Sequence, residues 1–202
     1  MNAMPRGRPP LRLAVLVSGS GRTLENLLEA AAIGGLPAEI VLVVASRADC
    51  RGTAVGRRAG VPTVVASPRG ADRAAWSAGI FAAVRESRAD LVVLAGFLHL
   101  LDIPPEFGGR VVNIHPSLLP AFGGQGFHGL HVHRAVLDRG CTVSGCTVHL
   151  VDNEYDHGRI LLQRTVPVLH DDTPESLAAR VFAAECQLLP EAIGRIAAGT
   201  LP

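Results

Sequence analysis

The chain has 202 residues, a length that suits one domain, and its hydrophobic content of 48% is enough for a buried core. The formal net charge is +1, so no overall field favours nucleic acid or an anionic membrane as a partner. An aromatic content of only 4% indicates a core of Val, Leu and Ala, which is typical of an α/β sheet flanked by helices. The four cysteines lack Cys-x-x-Cys spacing, which indicates reduced thiols in a cytoplasmic protein, although a bridge between Cys141 and Cys146 stays open.

The first residues carry two arginines but no apolar stretch. They predict a disordered tail over residues 1–10 rather than a signal peptide. The apolar run that begins at Leu11 is only as long as a strand, so no transmembrane span is expected. We therefore expect a single domain over residues 11–202.

Strands and helices alternate along the first half of the chain. Apolar, β-branched segments predict strands at 11–17, 39–45, 61–66 and 91–95, and helical periodicity predicts helices at 24–32, 51–59 and 72–87. This alternation indicates parallel strands joined by right-handed crossovers. The expected fold is a doubly wound, mostly parallel α/β sheet of Rossmann-like type, with an antiparallel C-terminal hairpin and a C-terminal helix.

The second half of the chain supplies that hairpin and helix. A short helix is predicted at 133–139, and two strands of a hairpin are predicted at 143–151 and 160–168. Thr173 as N-cap, Pro174 and Glu175 open the last helix, which is expected to reach about residue 198 with a break near Pro190.

A glycine turn, Ser18-Gly19-Ser20-Gly21, joins the first strand to the first helix. Glycine lets a ligand approach the backbone closely, and the free N–H groups at a helix start attract an anion. Leu24 stands where the dinucleotide pattern needs a third glycine, so the turn predicts a site for a single phosphate monoester. Arg22 would add charge, and Thr23 would cap the helix or donate to the ligand. The alternative is an ordinary strand-to-helix turn.

An apolar loop, residues 96–101, follows the fourth strand. Open α/β sheets bind ligands at the carboxyl ends of such strands. A flat heterocycle could lie here against apolar walls and backbone groups, whereas simple packing of the loop on the core is the alternative.

The most informative stretch is the strand that ends in Asn113-Ile114-His115. Pro116 cannot donate to a sheet ladder, so it ends the strand. Because Asn113 and His115 are two residues apart, their side chains face the same side of an extended backbone. An amide and an imidazole placed together suit a reaction in which negative charge builds on one oxygen. The alternative is a pair of hydrogen-bonded loop supports.

The run Asn113-Ile114-His115-Pro116-Ser117-Leu118-Leu119-Pro120 resembles the signature of the folate-dependent formyltransferases. Other motifs of that family occur in the same order, at 18–21, 94–97, 129–131, 148–149 and 154–156. The resemblance covers nearly everything from residue 11 to 198. It implies the formyltransferase fold and attack of an amine on the formyl group of 10-formyltetrahydrofolate, a co-substrate, with no metal. The chain length favours the members that formylate glycinamide ribonucleotide in purine biosynthesis, because transfer-RNA-directed members and formyl-folate hydrolases carry an additional domain.

The resemblance also implies roles for individual residues. The catalytic group would be Asn113, His115 and Asp156, with His115 as the proton donor and Asp156 raising its pKa. The ribonucleotide site would consist of Gly21, Arg22, Thr23, Phe182, Ala183, Ala184 and Glu185. The folate site would consist of Arg73, Leu98, His99, Leu100, Leu101, Asn113, Asp152, Asn153, Glu154, Tyr155 and Asp156.

The chain departs from the family pattern in three places. Arg22-Thr23 replaces small polar residues, His99 stands where other members often have arginine, and the loop at 123–128 resembles an insertion. With four glycines between residues 121 and 130, that loop is expected to be long and mobile.

Other functions remain open from the sequence. The spacing His128-x-x-His131-x-His133 allows a metal-dependent hydrolase with Asp156 or Glu154 as base, although it lacks the Cys/His or i, i+4 spacing of common zinc sites. A formyl-folate hydrolase, a transferase for another amine and a non-catalytic nucleotide-binding module are further alternatives. The expected partners are small molecules rather than nucleic acid or membrane, and the oligomeric state, including a homodimer, stays open.

Overall fold

The structure is a computed structural model that describes residues 9–201. Almost all of the tail predicted at 1–10 therefore lies outside the described residues. The described chain contains one seven-stranded sheet with the order β3-β2-β1-β4-β5-β6-β7. Its strands are β1 (Leu11–Val17), β2 (Ala38–Ala45), β3 (Thr63–Val65), β4 (Leu91–Leu94), β5 (Val111–His115), β6 (Val143–Leu150) and β7 (Ile160–Pro167).

Five α-helices accompany the sheet in the described residues: α1 (Arg22–Ala32), α2 (Arg51–Arg58), α3 (Arg73–Glu86), α4 (Leu130–Asp138) and α5 (Pro174–Ala197). Strands β1 to β5 pair in parallel, whereas β6 pairs antiparallel with both β5 and β7. The predicted fold class, with its antiparallel hairpin and final helix, is confirmed.

The central strand β1 is covered on both faces. Leu13, Val15 and Val17 pack in a cluster with residues of α1 and α5, and Ala14 and Leu16 pack in a second cluster with residues of α3. This alternation follows from the two-residue period of a strand. A parallel sheet with helices on both sides needs such a continuous apolar strand, and the seven residues of β1 provide it.

The turn after β1 lies against the loop after β4. Ser18 N–H donates to the Gly96 carbonyl at 3.1 Å, and the Ser18 hydroxyl accepts from Leu98 N–H at 3.1 Å. Gly21 has a φ of 71° and a built Cβ there would lie 2.7 Å from the Cα of Gly52, so a side chain at this position would clash with backbone. Tight packing of two backbones therefore fixes the shape of the glycine turn.

Helix α1 begins at Arg22, two residues earlier than a Thr23 cap requires. Its N-cap is Gly21, which makes no side-chain hydrogen bond, and Thr23 lies inside the first turn. The prediction that Thr23 caps this helix is therefore wrong, because the left-handed conformation of Gly21 already ends the preceding turn. Helix α4 likewise begins at Leu130, earlier than predicted.

Helix α5 runs through Pro190 without the predicted break. A proline inside a helix leaves the carbonyl four residues earlier without its N–H partner, and here that carbonyl belongs to Cys186. The Asn26 side-chain amide on α1 donates to the Cys186 carbonyl at 3.0 Å. The prediction of a break is wrong because a neighbouring helix replaces the missing donor.

We expect Asn26→Ala to lower the free energy of unfolding by about 1 kcal/mol, because the Cys186 carbonyl loses its donor. Urea unfolding measures this change. Pro190→Ala provides the control, since alanine at that position restores an N–H donor within the helix, so Asn26→Ala should cost less in that background. An equal loss of stability in both backgrounds would contradict this explanation of the unbroken helix.

Candidate active site

Asn113, His115 and Asp156 meet at one end of β5. The Asn113 amide nitrogen lies 3.3 Å from Asp156 Oδ1, and His115 Nδ1 lies 3.4 Å from Asp156 Oδ2. Asp156 comes from the turn after β6 and adopts a left-handed φ of 52°, which is uncommon outside glycine. The structure thus brings together the three side chains that the sequence analysis grouped.

His149 joins this group, although the sequence does not predict a catalytic role for it. It is only 1% exposed and stands opposite Asn113 in the β5–β6 ladder. Its Nδ1 donates to the Leu150 carbonyl at 2.8 Å, so Nε2 is left to accept from the Asn113 amide at 3.1 Å. Both amide hydrogens of Asn113 are therefore directed at protein acceptors. The signal that could have identified His149 was its position in the hairpin strand next to the Asn113 strand.

The glycine-rich loop also reaches the group through its backbone. The Phe122 carbonyl accepts from His115 Nε2 at 2.8 Å, and Gly124 N–H donates to Asp156 Oδ2 at 2.9 Å. The loop at 121–130, which the sequence predicts to be long and mobile, therefore contacts both members of the imidazole–carboxylate pair.

Burial lowers the pKa of His115 below its ordinary value. The Asp156 carboxylate and the Phe122 carbonyl act in the opposite direction but do not outweigh the loss of water. The effect of Asp156 on the His115 pKa has the predicted sign, but the burial of an imidazole that is only 3% exposed has the larger effect. Burial raises the pKa of Asp156, yet the neighbouring His149 and His115 rings and the Gly124 N–H together bring this pKa below its ordinary value.

A cavity of about 700 Å³ contains these groups. It lies where the turns after β1, β4 and β5 meet, as expected for an open α/β sheet. Gly21, Arg22 and Thr23 line this cavity, and so do Asn113, His115 and Asp156. The cavity therefore joins the predicted phosphate turn to the predicted reacting group.

Helix α5 forms the wall next to the phosphate turn. Ala178, Phe182 and Glu185 line the cavity, which is the spacing of one helix face. Ala183 is exposed and Ala184 is buried in the core, so these two predicted substrate residues do not present their side chains to the cavity. The prediction took a continuous run of residues, whereas neighbouring residues on a helix point in different directions, and Ala178 lines the cavity instead.

Arg22 on α1 lies close to Phe182 and Glu185 on α5. The Arg22 guanidinium lies 3.7 Å from the centroid of the Phe182 ring, a cation–π contact. Burial raises the pKa of Glu185 to about 8, and Arg22 acts against this rise. Near neutral pH the Glu185 carboxyl is therefore largely protonated in this state.

The predicted folate residues divide between two cavities. Leu98 lines the main cavity, whereas Arg73, His99 and Leu100 line a second one of about 370 Å³. Tyr155 lines both, as does Gln125. The side chain of Leu101 is only 3% exposed and belongs to the core, so it does not reach either cavity.

Three predicted folate residues of the turn after β6 point elsewhere. Asp152 accepts from His157 Nδ1 at 2.7 Å and from Glu154 N–H at 2.9 Å, and Asn153 accepts from Ile103 N–H at 2.9 Å. Glu154 itself is exposed, and none of Asp152, Asn153 and Glu154 lines the two cavities. The Asp152 side chain therefore holds the shape of the turn, because a tight turn needs local acceptors for its N–H groups, whereas Asn153 links the turn to the segment after β4.

His128, His131 and His133 are not arranged as a metal site, and the last two lie on α4. His133 is 3% exposed, and the rings of His128 and His131 meet edge to face with centroids 5.8 Å apart. Among residues 9–201 no group of three or more His, Cys, Asp or Glu side chains has the geometry of metal ligands.

Within residues 9–201, no helix combines the length and the apolar character that crossing a membrane requires.

Comparison with known proteins agrees with this geometry. Residues 11–193 match the family model described as formyl transferase, and the chain belongs to that family. It is similar to the crystal structure of glycinamide ribonucleotide transformylase 1 from Symbiobacterium toebii, with a TM-score of 0.86, 40% identity and coverage of 94% of this chain and 89% of that one. It is also similar to phosphoribosylglycinamide formyltransferase from Brucella melitensis, with a TM-score of 0.85, 43% identity and coverage of 94% and 96%.

A curated relative shows the same likeness over part of its length. The chloroplastic phosphoribosylglycinamide formyltransferase of Vigna unguiculata is 42% identical over 186 residues, which is 90% of this chain but 59% of the relative. The chain thus spans about three fifths of that protein. The Mycobacterium tuberculosis phosphoribosylglycinamide formyltransferase is 44% identical over 93% of this chain and 86% of its own length.

We expect Glu185→Gln to remove a pH-dependent loss of stability. The carboxyl releases its proton near pH 4.5 when unfolded and near pH 8 when folded, so between these values the unfolded chain ionises first and wild-type stability falls as pH rises. In thermal unfolding over this pH range, the stability of the variant relative to the wild type should increase as pH rises to about 8. Above that pH the difference in stability should stay constant. A difference that does not change with pH would contradict the burial of this carboxyl.

Proposed function

We propose that the chain transfers the formyl group of 10-formyltetrahydrofolate to the amine of 5-phosphoribosylglycinamide. The products are formylglycinamide ribonucleotide and tetrahydrofolate, and the reaction belongs to de novo purine biosynthesis. The observation that carries the proposal is the meeting of Asn113, His115 and Asp156 in one cavity with a glycine turn, in a member of the formyl transferase family. Relatives that bear the corresponding name support the choice of amine.

The phosphate end of the ribonucleotide would lie at the turn before α1. Free N–H groups at the start of a helix favour an anion there, and the Arg22 side chain adds a positive charge. Phe182 and Glu185 on α5 would contact the rest of the nucleotide. The Glu185 carboxyl would face the amine end, where a cationic amine would favour its ionised form.

The reaction requires a neutral amine to attack the formyl carbon while the formyl oxygen becomes anionic. His115 would supply a proton, and the Asn113 amide would donate a hydrogen bond to the same oxygen. The Asn113 hydrogen that points to Asp156 at 3.3 Å makes the longer of its two contacts, so we expect this one to change partner when substrate binds. Departure of the folate nitrogen, with transfer of a proton to it, completes the exchange.

The folate would extend from the reacting group toward the second cavity. Leu98 and Tyr155 line the route, and Arg73 and His99 line the far part. Arg73 is bound to Asp102 at 2.8 Å, so an acidic ligand would have to compete for its guanidinium. Leu101 and residues 152–154 would contribute through their backbone, since their side chains line neither cavity.

The setting would be a reducing, cytoplasmic one. All four cysteines are free thiols, which agrees with the interpretation of the sequence. Formyl-folate hydrolysis is not favoured, because the named relatives are formyl transferases. Metal-dependent hydrolysis is not favoured either, because His128, His131 and His133 are not arranged as metal ligands within residues 9–201.

The decisive experiment offers 10-formyltetrahydrofolate to the protein with and without 5-phosphoribosylglycinamide. Folate product should form only when the ribonucleotide is present, in equal amount to formylated ribonucleotide. Treatment with a chelator serves as a control for metal dependence and should leave the rate unchanged. Folate release without the ribonucleotide would instead indicate a hydrolase.

We expect Asp156→Asn to move the basic limb of the pH–rate profile to lower pH. Asp156 raises the pKa of His115, whereas burial lowers it. Without the Asp156 carboxylate the pKa of His115 should fall, so the imidazolium should lose its proton at lower pH. The turnover number measured over a pH series checks this shift. Glu39→Gln, which removes a carboxylate bound to Arg12 elsewhere on the sheet, should leave the limb in place.

A further inference from the structure

Residues 122–124 form a short segment that contacts the reacting pair only through backbone atoms. The Phe122 carbonyl accepts from His115 Nε2 at 2.8 Å, and Gly124 N–H donates to Asp156 Oδ2 at 2.9 Å. The segment is held in turn by the fully buried Ser117, whose hydroxyl donates to the Ala121 carbonyl at 2.6 Å and lies 3.4 Å from the Phe122 carbonyl.

Gly123 between these two contacts has no space for a side chain. A built Cβ would lie 2.5 Å from Leu119 Cδ2 and 3.2 Å from the Cβ of Asp156. Leu119 is only 5% exposed, so it cannot swing aside freely. Any larger residue at position 123 must therefore displace the segment, Asp156 or both.

The Phe122 contact determines which nitrogen of His115 carries the proton in the neutral ring. A carbonyl oxygen only accepts, so Nε2 is the protonated nitrogen and Nδ1 is left with its lone pair. Nδ1 lies 3.4 Å from Asp156 Oδ2, longer than the roughly 2.7–2.9 Å of a charge-assisted hydrogen bond. Nδ1 is therefore the nitrogen that a ligand in the cavity can engage.

We propose that residues 122–124 are a positioning element that fixes His115 through Nε2 and Asp156 through Oδ2, which leaves His115 Nδ1 to exchange the proton with substrate. The second half of this statement rests on the proposed function. In the reaction the Nδ1–H bond of the imidazolium breaks, its electron pair stays on Nδ1, and the proton passes to the substrate. The product is the neutral ring that still carries its Nε2 proton.

The electrostatic setting of His115 agrees with this arrangement. Asp156 faces the ring from the turn after β6, His149 faces it from β6 and His133 from α4. Burial lowers the pKa of His115, as does His149, whereas Asp156 and the Phe122 carbonyl raise it. Displacement of residues 122–124 would weaken both of the latter effects, so the His115 pKa should fall further.

The test uses ligand-free protein and ¹⁵N NMR of the His115 ring, assigned by comparison with His115→Asn. The wild type should show the Nε2–H tautomer when neutral. Gly123→Ala and Ser117→Ala should both lower the titration midpoint of His115. Ser117→Ala adds no bulk and provides the test if Gly123→Ala does not fold. Ala121→Ser, at an exposed side chain of the same loop, is the control and should keep the wild-type midpoint.

Kinetics supply the second readout. In both variants the turnover number should fall by about tenfold to a hundredfold while KM for the ribonucleotide is unchanged, because the phosphate turn is not altered. An Nδ1–H tautomer in the wild type, or folded variants with the wild-type midpoint and turnover, would overturn the proposal. If the wild type does not transfer a formyl group, the proposed function is contradicted. The NMR measurements need no substrate, so the tautomer of His115 tests the positioning role of residues 122–124 in either case.

Discussion

The arrangement of the cavity depends on the carboxylate of Asp156. Its Oδ1 faces the Asn113 amide and the His149 ring, and its Oδ2 faces the His115 ring and the Gly124 N–H. A carboxylate that is largely removed from water is costly unless such partners compensate it. Because these partners come from β5, β6 and the glycine-rich loop, this one carboxylate holds three separate parts of the chain in a common geometry.

The mixed sheet makes these contacts possible. Its parallel part brings the turns after β1, β4 and β5 to one edge of the sheet. At this edge Ser18 of the glycine turn makes hydrogen bonds with Gly96 and Leu98 of the apolar loop. The antiparallel strand β6 then places His149 directly beside Asn113. The turn after β6 folds back along β5, so Asp156 reaches both Asn113 and His115. The parallel strands thus form the cavity, and the turn after the antiparallel strand β6 supplies Asp156, which contacts the side chains of β5 within it.

Helices α1 and α5 form the other half of the cavity and are linked at two places. Asn26 donates to the carbonyl that Pro190 leaves free, and Arg22 stacks on Phe182. The first contact allows α5 to continue unbroken, and the second lies beside the phosphate turn. Substitutions on α5 at a distance from the glycine turn could therefore alter the part of the cavity next to Arg22, since the position of Glu185 depends on how α5 packs against α1.

The sequence by itself determined the alternation of strands and helices, the glycine turn and the Asn113–His115 pair, because these follow from local periodicity, glycine spacing and the alternation of a strand. It also indicated Asp156 through family resemblance. Only the tertiary structure decided that Ala178 rather than Ala183 faces the cavity, that α5 passes Pro190 intact, and that burial outweighs Asp156 in lowering the His115 pKa. The role of His149 and the contacts of residues 122–124 were likewise decided in three dimensions. Each depends on which distant groups lie nearby and how much water they exclude, and these quantities are set by packing rather than by local sequence.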